Sequence, residues 1–280
     1  LCSNCKDDAE WMIHAREGRE LRRVWVTSSV DFGKSWAKPK EITSSVKQPS
    51  WTWYATGPGI GVQTSSGRLV IPCNHAEDVA EHEAPYLVDR RRSRMVAHSI
   101  YSDDHGKTWR IGGIAAKHTN ECGVALMPSG ELILNARDWS GRFQRVIHSS
   151  TDEGKSWRFM RHDATLIEPE PQGCQGSTLA APRPAKGSSG RSGRNSKDES
   201  SGILFFCNPS SDRREMLTVR RSDDGGETWG ASLVLEDGPS AYSCMGLTHD
   251  GYLGVLYERD HQISFARIPS AADGPLGVFC

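Results

Sequence analysis

Residues 222–229 read SDDGGETW, and near-copies of that string lie elsewhere: SVDFGKSW from Ser29, SDDHGKTW from Ser102 and STDEGKSW from Ser150. The shared pattern S-x-D-x-G-x-[ST]-W fixes five positions, and the copies start 73, 48 and 72 residues apart. That spacing marks repeated supersecondary units, each of which must bury its apolar face against a neighbour. Inside a copy, the Asp between turn residues can accept backbone N–H bonds, the Gly takes positive φ at no steric cost, and the Trp packs beneath the turn. The flanking runs RRVWVTSS, RVIHSS and MLTVRRS alternate or carry β-branched residues, so each box closes a β-hairpin. A calcium loop would need further oxygen ligands at fixed offsets and an acidic residue at its twelfth position, which no copy has. The boxes are scaffold, and reactive groups lie elsewhere.

Composition agrees with a strand-rich globular chain. The 280 residues include 28 Gly and 14 Pro, enough turn formers for many short strands. A net charge of −1 argues against a nucleic-acid partner, and no apolar stretch reaches the roughly 18 residues that a membrane helix needs. Eight cysteines are scattered; only Cys2 and Cys5 stand close together, and a zinc knuckle would need a second pair nearby. No metal or other cofactor is expected. The sequence contains no N-x-[ST] acceptor and shows no signal segment, so the compartment stays unassigned.

Strand-like runs recur along the chain: GRLVIPCN, MVAHSIYS, GVALM, ELILNAR, GILFFCN, LGVLYE and ISFARI among them. They are short, separated by turn residues, and do not alternate with long amphipathic helices. That pattern excludes a doubly wound α/β fold and points to an all-β sandwich, barrel or propeller. Four hairpin boxes favour the propeller, as a single domain over residues 1–280. Residues 183–202, rich in Ser, Gly and charge, read as a flexible surface loop between blades rather than a domain boundary.

Function has to come from what the scaffold carries. Polar groups stand out at strand ends: Glu121 in TNECGV, Arg137 in LILNARD, Arg213 and Arg214 in SDRREMLTV, Tyr242 in GPSAYSCMG and Glu258 in LYERD. Each alone has a bland reading as a solvated charge or a core tyrosine. Together with WTWYATGPGIGVQ, GRLVIPCNH, PQGCQGS and the boxes, in this order, they resemble the exo-α-sialidases (neuraminidases) of the six-bladed β-propeller class, essentially throughout the chain.

The resemblance implies that Tyr242 is the nucleophile and Glu121 its proton-accepting partner. Arg137 and Arg214 match two of the three arginines that clamp the sugar carboxylate, and Glu258 matches the acid that steadies the first of the three. Gln172 matches a ligand-contacting position, with Asn74 and Tyr54 as weaker substrate-binding matches. The chemistry fits those residue types. Sialic acid carries a carboxylate on its anomeric carbon, so a carboxylate nucleophile would meet like charge and a neutral phenol would not. Tyrosine nucleophiles are a recognised sialidase departure from the two-carboxylate glycosidase scheme. A phenol of pKa about 10 needs a base to act at neutral pH, and guanidinium forks bind carboxylates bidentately.

Departures accompany the matches. The family's first clamp arginine, in an R-I-P motif, and its acid/base Asp have no counterpart here, so the resemblance implies that the first blade and part of the second lie upstream of Leu1. Loss of a general acid costs about 10² to 10⁴ in rate, so the chain as it stands is expected to be a fragment of reduced activity. Ile60 stands where the family has His, and Gly123 where it has Gln. The expected function is retaining hydrolysis of terminal α-linked sialic acids on glycoproteins, glycolipids or oligosaccharides. The alternative is a lectin-like, catalytically inactive homologue that binds sialic acid.

Overall fold

The computed structural model describes residues 2–3, 22–77, 95–182 and 202–269. Strands β1 (Cys2–Ser3), β2 (Arg23–Val26) and β3 (Lys40–Glu41) form a small antiparallel sheet. One helical turn, α1 (Thr43–Val46), leads into β4 (Trp51–Thr56), β5 (Val62–Gln63), β6 (Leu69–Glu77), β7 (Met95–Ser102) and β8 (Arg110–Lys117). Their order is β4-β6-β7-β8, with β5 also paired to β6. A four-stranded meander follows: β9 (Thr119–Leu126), β10 (Leu132–Asp138), β11 (Gln144–Ser150) and β12 (Arg158–Ile167). The last sheet runs in chain order through β13 (Ser177–Ala181), β14 (Ile203–Pro209), β15 (Glu215–Ser222), β16 (Ala231–Leu247), β17 (Tyr252–Arg259) and β18 (Gln262–Pro269).

The length of β16 has a topological cause. Its first part, Ala231 to Pro239, pairs with β15, while Ser240 to Leu247 pairs with β17. One strand thus closes one four-stranded sheet and opens the next. Strand β9 packs on β6 and β13, and β13 packs on β16.

The inner strands β10 and β14 are covered on both faces. In β14, Phe205 faces a core with Leu217, Val219, Met245 and Val255. Its neighbour Phe206 faces another core with Ile133, Leu166 and Ala125. Every residue of β10 and β14 is buried as a result. Burying an aromatic side chain of this size is worth about 1.5–3 kcal/mol, and consecutive phenylalanines feed two different cores. Sheets stacked in this way form the β-propeller that the repeats predict.

All four boxes close hairpins between successive antiparallel strands: β2–β3, β7–β8, β11–β12 and β15–β16. The first Ser of each accepts the Gly N–H at 2.7–2.9 Å through its Oγ. The Asp accepts both the N–H and the hydroxyl of the [ST] residue, as with Asp104 and Thr108 at 2.8 and 2.6 Å. The glycines carry φ of 79–94°. The tryptophans differ. Trp36 and Trp109 donate to the carbonyl of their own Gly, whereas Trp157 reaches Ser99 Oγ and Trp229 reaches Asp163 Oδ2. Packing beneath the turn fails for Trp36, which is 63% exposed, because the short β2–β3 ladder offers little apolar surface below it.

Of the expected 183–202 loop, only Gly202 lies within the described residues, and the Cys2 and Cys5 thiols lie outside them. Five described cysteines, Cys73, Cys122, Cys174, Cys207 and Cys244, are free thiols. Among the described residues no helix is long and apolar enough to cross a membrane, and no group of three or more His, Cys, Asp or Glu is placed to hold a metal.

Candidate active site

Four of the residues picked out in the sequence meet at one place. The β9–β10 register sets Ala136 opposite Cys122, which brings Arg137, at the end of β10, beside Glu121 on β9. Arg137 Nη1 donates to Glu121 Oε2 at 2.6 Å, and the Tyr242 hydroxyl donates to Glu121 Oε1 at 2.6 Å. Arg214, just before β15, holds its guanidinium carbon 5.8 Å from the centre of the Tyr242 ring. Glu258, on β17, accepts the Tyr242 backbone N–H at 3.1 Å.

A single connecting segment, residues 168–175 between β12 and β13, gathers these groups from below. Gln172 O accepts Arg137 Nε at 2.8 Å, and Gly173 O accepts Arg214 Nη2 at 3.4 Å. Gly173 has φ +69°, and a Cβ there would sit 3.2 Å from Arg137 Cγ and from Glu168 Oε2, so the chain can pass this close to the arginine only as glycine. Glu168 pairs with the fully buried Arg145 at 2.5 Å and accepts the Asp138 N–H at 2.7 Å. Arg145 also donates to Asn135 and to Cys174 O. Burial lifts the Glu168 carboxyl above its ordinary value, even against the Arg145 charge. That pair underlies the strand end carrying Arg137.

The electrostatics favour a neutral phenol at rest. Burial raises the Tyr242 pKa, and the Glu121 charge and hydrogen bond raise it further. Burial works against the Arg137 charge, but Glu121 more than restores it. The arrangement is a phenol whose proton already points at a carboxylate, with guanidiniums on both sides.

The remaining residues singled out in the sequence fall differently. The Gln172 side chain is exposed, and only its backbone carbonyl joins the site. Asn74 is buried on β6, with Oδ1 unpartnered among the described residues. Tyr54 requires correction. It is fully buried, its hydroxyl donates to Cys73 Sγ at 3.3 Å, and it packs among Trp51, Val46 and Ile100. Its place on β4 turns it into the inter-sheet core, where no substrate reaches. Of the departures, Ile60 lies on an exposed loop, and a Cβ at Gly123 would stand 2.9 Å from Thr178 Cγ2, so glycine lets β9 and β13 lie close. Sequence reading missed Glu168, Arg145 and Gln175. The segment PQGCQGS was in view, but nothing in it tells which glutamine turns inward.

Residues 6–255 match the BNR repeat-like domain. The chain belongs to that family. Among curated relatives of this BNR repeat-like chain, a sialidase of Bacteroides fragilis is 31% identical over 257 residues, covering 89% of this chain and 42% of its own length. Human Sialidase-4 is 38% identical over 188 residues, 62% of this chain and 36% of that protein. The solved structure of Hadza microbial sialidase Hz136 superposes with a TM-score of 0.71 at 32% identity, over 87% of this chain and 43% of that one. The BNR repeat-like chain therefore spans less than half the length of these relatives.

Proposed function

We propose that this chain carries the nucleophilic half of an exo-α-sialidase centre, which removes terminal α-linked sialic acids from glycoproteins, glycolipids or oligosaccharides with retention of configuration. The observation that carries the reading is the Tyr242–Glu121–Arg137 chain, with both links at 2.6 Å. The sialidase relatives support it from outside the site.

Arg137 and Arg214 bind the sugar carboxylate, which places the anomeric carbon over the phenol. The Tyr242 proton passes to Glu121 Oε1 as the phenolic oxygen bonds to that carbon. The glycosidic C–O bond breaks, and the leaving oxygen takes a proton from an acid outside this quartet. Water then attacks the glycosyl-tyrosine and returns the phenol. Holding nucleophile and base in contact before substrate arrives removes an orientational cost from the first step.

The test uses a fluorogenic aryl sialoside. Slow release that Tyr242→Phe abolishes, with the α-anomer of free sialic acid appearing first by NMR, is the expected result. Binding of sialyllactose without any release, even when an upstream segment from a relative is supplied, would leave the lectin-like reading in its place.

A further inference from the structure

We propose that Gln175 is a positioning residue that sets the distance between the Tyr242 phenol and the Glu121 carboxylate. The inference rests on the proposed reaction and extends it to a residue that touches neither substrate nor reacting atoms. Gln175 is 2% exposed, and every polar atom of its amide is engaged. Its Nε2 donates to Ser243 O and to Pro58 O, each at 2.9 Å, while Oε1 accepts the Ser243 N–H at 2.9 Å.

Those three bonds join the two halves of the pair. Ser243 directly follows Tyr242, at a point where the β16–β17 ladder is irregular: paired register is interrupted between Ser240 and Ser243. The strand alone therefore does not fix the tyrosine, and the side-chain amide takes the role of a missing strand by pairing both backbone groups of its neighbour. Pro58 belongs to the loop after β4. That loop lies against the Glu121 strand so closely that a Cβ on Gly57 would stand 2.2 Å from Cys122 O. Gln175 thus ties the residue after the nucleophile to the loop lying on the residue after the base.

Only an amide of this length supplies two donors and an acceptor here. Met fills the same space but leaves three buried backbone groups without this partner, and Glu keeps the acceptor while turning an oxygen toward two carbonyls. A displacement of about 1 Å at a reacting pair costs on the order of 10² in rate. Arg137 and Arg214 are held by the Gln172 and Gly173 carbonyls rather than by the Gln175 amide, so ground-state binding should be spared.

Gln175→Met is compared with wild type in two measurements. In steady-state kinetics, kcat should fall by about 10² with KM within about threefold. In the second, [13Cζ]tyrosine NMR follows the Tyr242 phenol, assigned by its loss in Tyr242→Phe. That phenol is faced by Glu121 from β9, Arg137 from β10, Arg214 from the turn before β15 and the Cys174 thiol. Its resonance should be flat up to pH about 10 in wild type and should titrate at lower pH in the variant. An unchanged kcat or an unchanged titration profile overturns the proposal. Absence of wild-type turnover would count against the proposed reaction, and the NMR comparison alone would then decide the role of Gln175. Should circular dichroism show Gln175→Met unfolded, Gln175→Glu is judged by the same criteria.

Discussion

Arg137 and Tyr242 hold opposite oxygens of one carboxylate, the guanidinium on Oε2 and the phenol on Oε1 of Glu121. The charged donor occupies one oxygen, so a proton leaving the phenol has the other to go to. The Glu121 carboxylate is therefore oriented as well as near.

Glu121→Gln keeps a hydrogen-bond partner for the phenol but removes the proton acceptor. Turnover of an aryl sialoside should fall by about 10² to 10⁴. The Tyr242 pKa should also drop, because the Glu121 charge is one cause of its elevation. Turnover within threefold of wild type, in stopped assays, would rule out the base role.

Arg214→Lys keeps the charge and loses the fork. If this arginine clamps the sugar carboxylate, kcat/KM should fall by about tenfold to a hundredfold, the loss of a bidentate contact. An analogue lacking the carboxylate should bind both forms equally by calorimetry. Equal losses for both ligands would reassign Arg214 to supporting the tyrosine ring.

The same box position should differ in cost between copies. At Gly33 the nearest atom to an added Cβ is 3.7 Å away, whereas at Gly226 it is Leu204 Cδ2 at 2.9 Å and at Gly154 it is Val70 Cγ1 at 3.1 Å. All three have positive φ, so each Ala variant bears about 1 kcal/mol of backbone strain. Gly226→Ala and Gly154→Ala add a steric clash and should lose about 1–3 kcal/mol more in urea unfolding. Equal losses at the three sites would show that the turn conformation alone sets the cost.

Four histidines should make the fold acid-sensitive. Burial drives His75 down to about 3 and His148 to about 4, and lowers His98 and His162 as well. His75 and His98 face each other, Nδ1 to Nδ1, at 3.0 Å, under a Trp51 ring stacked on His75. Each folded-state pKa lies below the unfolded value, so below pH about 6.5 the unfolded chain binds more protons. Stability should fall as pH falls, by up to about 1.4 kcal/mol per pH unit for each fully buried histidine, until the folded pKa is reached. Melting temperature should decline from pH 7 to 4.5. His148→Gln, which keeps an acceptor for the Ala116 N–H, should flatten part of that slope. A level melting temperature across the window would contradict the assignment.

The repeated turns and the all-β class were legible because a hairpin is a local object: Ser, Asp, Gly and Thr satisfy one another within eight residues. Glu121, Arg137, Arg214 and Tyr242 were legible through likeness to a family. Inward and outward positions were not. In a sheet covered on one face, alternation tells which side chains are buried, but β10 and β14 are covered on both, and LILNARD and ILFFCNP are buried at every position. Nothing in WTWYAT therefore separated a core Tyr54 from a substrate-facing one. The roles of Arg145, Glu168 and Gln175 depend on which polar partner each meets across 10 to 117 residues of chain, and no local pattern records that.

Because β16 belongs to two sheets without a break, the phenol rides on a beam clamped at both ends. Breathing between those blades would have to shear a continuous backbone at Tyr242 itself. Any widening between the two sheets would therefore have to be taken up in the irregular stretch from Ser240 to Ser243, next to the phenol.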